Sequence, residues 1–192
     1  MKICVFGAAS PNIDPVYIAK VEELGRAMAE RGHSLVFGGG ANGLMGAAAR
    51  GVREKGGYIL GVIPKFFDDE SVEAVYTDCD ELIEPDTMRE RKQIMEDNAD
   101  AFIVAPGGIG TFEEFFEILT LKQLCRHNKP IALYNLNGYY NEIITALKVA
   151  TDKNFIRGGC MSLMYVTDDL ADLLRYVETP EEKRKVRDLK DG

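Results

Sequence analysis

Short, wholly apolar runs alternate along this chain with longer amphipathic stretches. Ile3–Phe6, Leu35–Phe37 and Ala101–Ala105 carry apolar side chains at successive positions, as strands buried on both faces do. Between them the apolar positions recur every three to four residues. From Pro15 to Arg31 the residues Val16, Ile18, Val21, Leu24 and Met28 fit one helical face, and Gly32 stops it. Continuing in order, the pattern predicts strands at 2–7, 34–37, 58–63, 81–84, 101–105, 130–134 and 162–167. Helices are expected over 15–31, from about 44, from about 86, over 112–125, 139–153 and 168–177. Positions 65–80 are the least regular, with two phenylalanines, four acidic residues and few clear signals.

Strand and helix alternate throughout, so the expected fold class is α/β: a Rossmann-like, doubly wound, mainly parallel sheet with helices on both faces. Residues 1–178 read as one domain, and 179–192 as a charged tail that is frayed helix or disordered. In such sheets ligands bind beyond the carboxyl ends of the strands. The turns at 7–11, 38–43 and 106–111 all leave strand ends and can converge on one cleft.

The most informative of these turns is Pro106-Gly107-Gly108-Ile109-Gly110-Thr111. Strand, glycine turn and helix together make an anion site, because glycine lets the backbone approach and the first helical amides point at the ligand. Gly107, Gly108, Ile109, Gly110 and Thr111 are therefore a candidate phosphate cradle. Thr111 and Glu114 also have the spacing of a capping box, which needs no ligand. At about 100° per residue, Glu113 and Glu117 fall on a polar face, whereas Glu114 falls with Ile118 and Leu121. A carboxylate on an apolar side, one turn from an anion-binding helix start, is a candidate functional acid.

A second charge stands out in the same way. Thr87 and Glu90 have capping-box spacing, and in the helix they open, Met88, Ile94, Met95 and Ala99 form the apolar stripe. Arg91 lies inside that stripe and Lys92 on its edge, while Arg89 and Glu96 face away. A buried arginine needs a partner. Either it forms a structural ion pair, with Glu114 one possibility, or it faces the cleft to hold an anionic substrate.

The remaining composition narrows the field. The net charge of −8, with no basic stripe, argues against nucleic acid, though not against a small anionic ligand. No apolar run approaches the roughly 20 residues of a membrane span, and the first residues read as a strand rather than a signal peptide. Cys4, Cys79, Cys125 and Cys160 are widely spaced, which suits reduced thiols in a cytoplasm. His33 and His127 have no partners at ligand spacing, so no metal site is expected. Gly38, Gly40 and Gly43 spell G-x-G-x-x-G, but the strand that follows ends Gly61-Val62-Ile63-Pro64 without the acid that holds a dinucleotide ribose.

Three stretches resemble the LOG family (named for the plant Lonely guy protein), whose bacterial members are often labelled lysine decarboxylases. They are Gly38-Gly39-Gly40 with Gly43-Leu44-Met45-Gly46, Met88 with Arg91-Lys92, and Pro106-Gly107-Gly108-x-Gly110-Thr111-x-x-Glu114. Val5-Phe6-Gly7 with Ser10, and Asn137-Gly138-Tyr139-Tyr140, are lesser matches. The resemblance implies a homodimer that hydrolyses the N-glycosidic bond of a nucleoside 5′-monophosphate, a cytokinin riboside monophosphate or AMP, to free base and ribose 5-phosphate. It implies that Arg91 and Glu114 are catalytic and that Ser10, Gly38, Gly39, Gly40, Met88 and Lys92 contact substrate. No cofactor is implied. Pyridoxal phosphate would need a Schiff-base lysine in a suitable stretch, and none is present. Position 89 is often histidine in the family but arginine here, and the first turn reads Gly7-Ala8-Ala9-Ser10 rather than G-S-S. These departures bear on the base rather than the reaction. Molybdenum cofactor carriers share the fold and a similar glycine loop, so a non-catalytic nucleotide or cofactor carrier is the alternative.

Overall fold

The computed structural model describes residues 1–69 and 73–179. Among these, seven strands form one sheet: β1 (Lys2–Phe6), β2 (Ser34–Phe37), β3 (Ile59–Val62), β4 (Glu81–Ile83), β5 (Ala101–Val104), β6 (Ile131–Tyr134) and β7 (Tyr165–Thr167). The helices are α1 (Pro15–Glu30), α2 (Gly43–Glu54), α3 (Lys65–Asp69), α4 (Met88–Asn98), α5 (Ile109–Gln123), α6 (Asn141–Asp152) and α7 (Leu170–Glu178). The strand order is β4-β3-β2-β1-β5-β6-β7 and every pairing in the sheet is parallel. This is the expected doubly wound α/β sheet. The chain winds outward from β1 in one direction and then from β5 in the other, so β1 and β5 flank the switch point where such folds bind ligands.

Side-chain alternation along β1 builds two cores. Ile3 and Val5 pack with Val21, Leu24 and Met28 of α1 and the alanines of α2. Cys4 and Phe6 point the other way, to Met95 of α4 and Phe115 and Ile118 of α5. β5 is fully buried along its length, which is why its sequence is apolar without alternation. Helices α1 and α2 approach closely enough that a Cβ on Gly51 would lie 2.1 Å from the carbonyl oxygen of Glu22.

The element ends differ from the sequence pattern where side chains do not set them. α5 starts at Ile109, three residues before the apolar period predicts, because Gly108 is its N-cap and contributes no side chain. Thr111 is therefore inside the helix, and the capping box that the Thr111–Glu114 spacing would allow does not form. The box at Thr87 does form: Glu90 N donates to Thr87 Oγ1 at 3.2 Å, and Thr87 N donates to Glu90 Oε2 at 3.1 Å. Residues Gly158–Leu163 coil as a 3-10 turn, so the last strand is only Tyr165–Thr167. A short 3-10 turn at Leu136–Gly138, with Asn137 at φ 52° and Gly138 at φ 73°, delays α6 to Asn141. The charged tail from 180 on lies outside the described residues.

Candidate active site

The turns after β1, β2 and β5 meet above the switch point and are tied together by their backbones. Ala8 N donates to Pro106 O at 3.1 Å, and Leu44 N donates to Ala8 O at 2.7 Å. From behind, the residues that lead into α6 prop the β5 turn: Tyr140 Oη donates to Ala105 O and Tyr139 Oη to Gly107 O, each at 2.7 Å. The three turns enclose a cleft of about 350 Å³ lined by Ser10, Met45, Phe67, Glu73, Met88, Arg91, Gly108, Gly110, Thr111 and Glu114 among others. A larger cavity of about 520 Å³ opens between α4 and α5, but it lies away from the strand ends and the glycine turns.

On one wall stands the start of α5. The first intrahelical bond to Gly108 O comes from Phe112 N at 2.9 Å. The amides of residues 109–111 thus precede the helical ladder, with the helix dipole behind them. Gly108 has no side chain to cap them. An anion can take their donors.

The floor is an ion pair. Arg91 is 5% exposed and Glu114 8%. The guanidinium is fixed by three acceptors: Nη1 donates to Glu114 Oε1 at 3.2 Å, Nη2 to Gly38 O at 3.3 Å, and Nε to Val62 O at 3.1 Å. The ends of β2, β3 and the first turns of α5 thereby hold one cation in a single pose. A Cβ at position 38 would fall 1.9 Å from Nη2, so the glycine is needed there. Arg91 thus pairs with Glu114, as the first alternative had it, and it also lines the cleft. Burial pushes the Glu114 carboxyl up to about 7, against the pull of the Arg91 charge. Near neutral pH this group exchanges protons readily, as a general acid or base must.

The other positions marked in the sequence are distributed unevenly. Ser10 and Met88 line the cleft, and Met88 is 39% exposed there. Gly39 and Gly40 lie under its β2 side, Gly39 at φ 79°. Ile109 contributes backbone only, its side chain being 87% exposed. Gly107 faces a neighbouring apolar pocket with Tyr17 and Tyr139. Lys92 does not reach the cleft. It pairs with Glu113 and with Glu117 Oε2, the latter at 2.7 Å, and borders the cavity between α4 and α5. Glu96, expected to face away, is half-buried beside Glu117; burial first and that carboxylate second push its carboxyl up to about 7. Phe67 and Glu73, absent from the sequence-based candidates, come from the irregular 65–80 stretch, and Phe67 lies 5.9 Å from the Arg91 guanidinium.

A family model described as possible lysine decarboxylase matches residues 45–177. The chain is 42% identical over 173 residues to a cytokinin riboside 5′-monophosphate phosphoribohydrolase of Mycobacterium tuberculosis, covering 90% of this chain and 91% of that one. It is 36% identical over 177 residues to the phosphoribohydrolase LOG2 of Arabidopsis thaliana, covering 92% and 82%. The chain belongs to the LOG family. Among solved structures, the molybdenum cofactor carrier protein of Chlamydomonas reinhardtii superposes with a TM-score of 0.69 over 92% of this chain and 95% of that chain. At 23% identity, that likeness establishes the shared fold alone. In this LOG family member no described helix is long and apolar enough to cross a membrane.

Proposed function

We propose that this protein hydrolyses the N-glycosidic bond of a nucleoside 5′-monophosphate, AMP or a cytokinin riboside monophosphate, giving free base and ribose 5-phosphate. The observation that carries this reading is the buried Arg91–Glu114 pair opening into a cleft beside the α5 amides. With the 5′-phosphate on the amides of residues 109–111, Glu114 lies one helical turn further on, about 5 Å along the axis. That is the reach of a ribose.

Glu114 stabilises the positive charge that develops at C1′ and takes a proton from the attacking water. The water oxygen bonds to C1′ as the C1′–N bond breaks, and the base leaves with the bonding pair and gains a proton. Arg91 keeps Glu114 aimed at C1′ through the Nη1–Oε1 bond and adds its own charge to the anionic ligand's surroundings. The base points to the cleft mouth, among Met88 and Phe67.

We further propose a cytoplasmic homodimer. Four free cysteines suit a reducing compartment. Ile109, Phe112 and Phe116 follow one another at helical spacing along α5, with Ile109 87% and Phe116 39% exposed, a stripe that a second copy would cover. Size-exclusion chromatography with light scattering checks the assembly.

The reaction is tested by incubating the protein with AMP, GMP, CMP, UMP and isopentenyladenosine monophosphate and separating free base by chromatography. Base release that disappears in Glu114→Gln and Arg91→Ala is the expected result. Tight nucleotide binding with no release from any of the five would favour the carrier reading instead.

A further inference from the structure

Behind the α5 amides, every carbonyl of the β5 turn is taken up by a donor of the protein. Tyr140 Oη donates to Ala105 O and Tyr139 Oη to Gly107 O, each at 2.7 Å. Ala8 N donates to Pro106 O at 3.1 Å and Phe112 N to Gly108 O at 2.9 Å. The acceptors of residues 105–108 are thus satisfied in succession. The donors are not: the Gly108 amide has no acceptor among the described residues, and the amides of 109–111 precede the helical ladder. Two consecutive tyrosines reach two alternate carbonyls because the turn before α6 is bent to aim them. Asn137 and Gly138 both hold positive φ, 52° and 73°. A left-handed asparagine persists where its surroundings fix it. Here Asn135 Oδ1 accepts from Tyr140 N at 2.7 Å, and Asn135 Nδ2 donates to Asn141 Oδ1 at 3.0 Å.

We propose that Tyr139 and Tyr140 are positioning residues for the phosphate cradle, and that they set the preference for a 5′-phosphorylated nucleoside over the bare nucleoside. This rests on the hydrolase reading for the place of the phosphate. A trans peptide is planar and carries its C=O and N–H on opposite sides, and no described peptide is cis. Gly108 borders both the cleft and the apolar pocket that Tyr139 lines. Holding Gly107 O toward Tyr139 therefore turns the Gly108 N–H away from that pocket, to the cleft side. Packing does not do this work: a Cβ at Gly108 or Gly110 would meet nothing within 4 Å. Glycine peptides without such bonds rotate easily, and donors fixed in advance lose less freedom when the anion arrives. The two side chains differ in setting. Tyr140 is fully buried, and burial raises its hydroxyl far above the ordinary range, so it stays a donor. Tyr139 is 42% exposed and meets Tyr17 edge-on, so its hydroxyl can be removed with little disturbance to the core.

The test removes one hydroxyl at a time. Binding of AMP and ribose 5-phosphate is measured by titration calorimetry in the Glu114→Gln background, so that AMP persists, and adenosine is read by competition against AMP. We expect Tyr139→Phe to weaken both phosphorylated ligands about fivefold or more, the worth of one hydrogen bond, and adenosine by less than about twofold. The AMP to adenosine affinity ratio is the readout, because a merely structural prop would weaken all three ligands alike. Tyr140→Phe, read in its folded fraction, should lower the same ratio. Tyr17→Phe takes a hydroxyl from the same pocket without touching either carbonyl and should leave the ratio unaltered. An unaltered ratio in either variant strikes that tyrosine from the assignment, and an equal loss for all three ligands would overturn the proposal with the cradle left in place. AMP binding no tighter than adenosine in the Glu114→Gln parent would overturn the cradle and the proposal with it. Base release by the wild-type protein is read separately. Its absence with the phosphate-selective loss intact would remove the hydrolase and leave the tyrosine assignment standing.

Discussion

Replacing Glu114 with glutamine removes a titrating group from the protein interior and leaves its shape almost unchanged. Glu114 is 8% exposed, and burial raises its carboxyl pKa from 4.5 to about 7 despite the guanidinium 3.2 Å away. In the unfolded chain the same carboxyl ionises near its ordinary value. Between pH 4.5 and 7 the folded protein therefore binds a proton that the unfolded protein has released. Stability contributed by Glu114 is fully present below pH 4.5 and is lost as pH rises through 7. At about 1.4 kcal/mol per pH unit, the whole interval is worth at most about 3 kcal/mol. Urea unfolding of wild type and Glu114→Gln at pH 5, 6, 7 and 8 measures this directly. The variant should gain on the wild type as pH rises, and the gain should level off above pH 7. Glu96 and Glu73 titrate in both proteins and cancel in the difference. A constant difference would refute the raised pKa. A variant that loses ground as pH rises would mean that Arg91 outweighs burial and holds the carboxylate ionised. The same titration sets the activity, since the base form of Glu114 grows through neutrality. Base release should rise with pH and level off above about 7.

Further substitutions separate the cradle from the scaffold. At Gly110 a Cβ meets nothing within 4 Å, so Gly110→Ala should raise thermal stability slightly, by up to about 1 kcal/mol of helix propensity, while weakening nucleotide binding by crowding the amides. At Gly107 a Cβ would lie 2.1 Å from Thr111 Oγ1, and Thr111 is 4% exposed, so Gly107→Ala should lower both melting temperature and affinity. Gly51→Ala presses a methyl on the Glu22 backbone and should destabilise by about 1–3 kcal/mol or more in chemical denaturation, with kcat little altered in the folded fraction. Lys92→Met severs the pairs with Glu113 and Glu117 outside the cleft, so a loss of about 1 kcal/mol in stability with less than threefold change in kcat/KM is expected from steady-state kinetics.

The sheet was legible because its central strands are buried on both faces and therefore apolar at every position, as Ala101–Val104 show. The start of α4 was legible because Thr87 and Glu90 are side chains that make the cap. The start of α5 was not, since its cap is Gly108 and the helical period begins among glycines that read as a turn. Helical phase put Arg91 and Glu114 on buried faces, but it could not tell whether they met, because α4 and α5 are brought together by the sheet. For the same reason it could not show that Glu113 and Glu117 of α5 capture Lys92. Glu73 was invisible to period and propensity. Its place depends on backbone bonds to a glycine turn more than 30 residues earlier, and backbone bonds carry no side-chain signature.

The central claim is that Glu114, held by Arg91, performs chemistry at C1′ of a nucleotide whose phosphate rests on the start of α5. Single-turnover base release from isopentenyladenosine monophosphate or AMP, with enzyme in excess, tests it most directly when wild type and Glu114→Gln are compared beside their binding affinities. The account predicts equimolar base and ribose 5-phosphate from the wild type, with no inorganic phosphate. It also predicts a fall of at least about a hundredfold in Glu114→Gln with binding retained. Equal rates in a folded Glu114→Gln protein would contradict it.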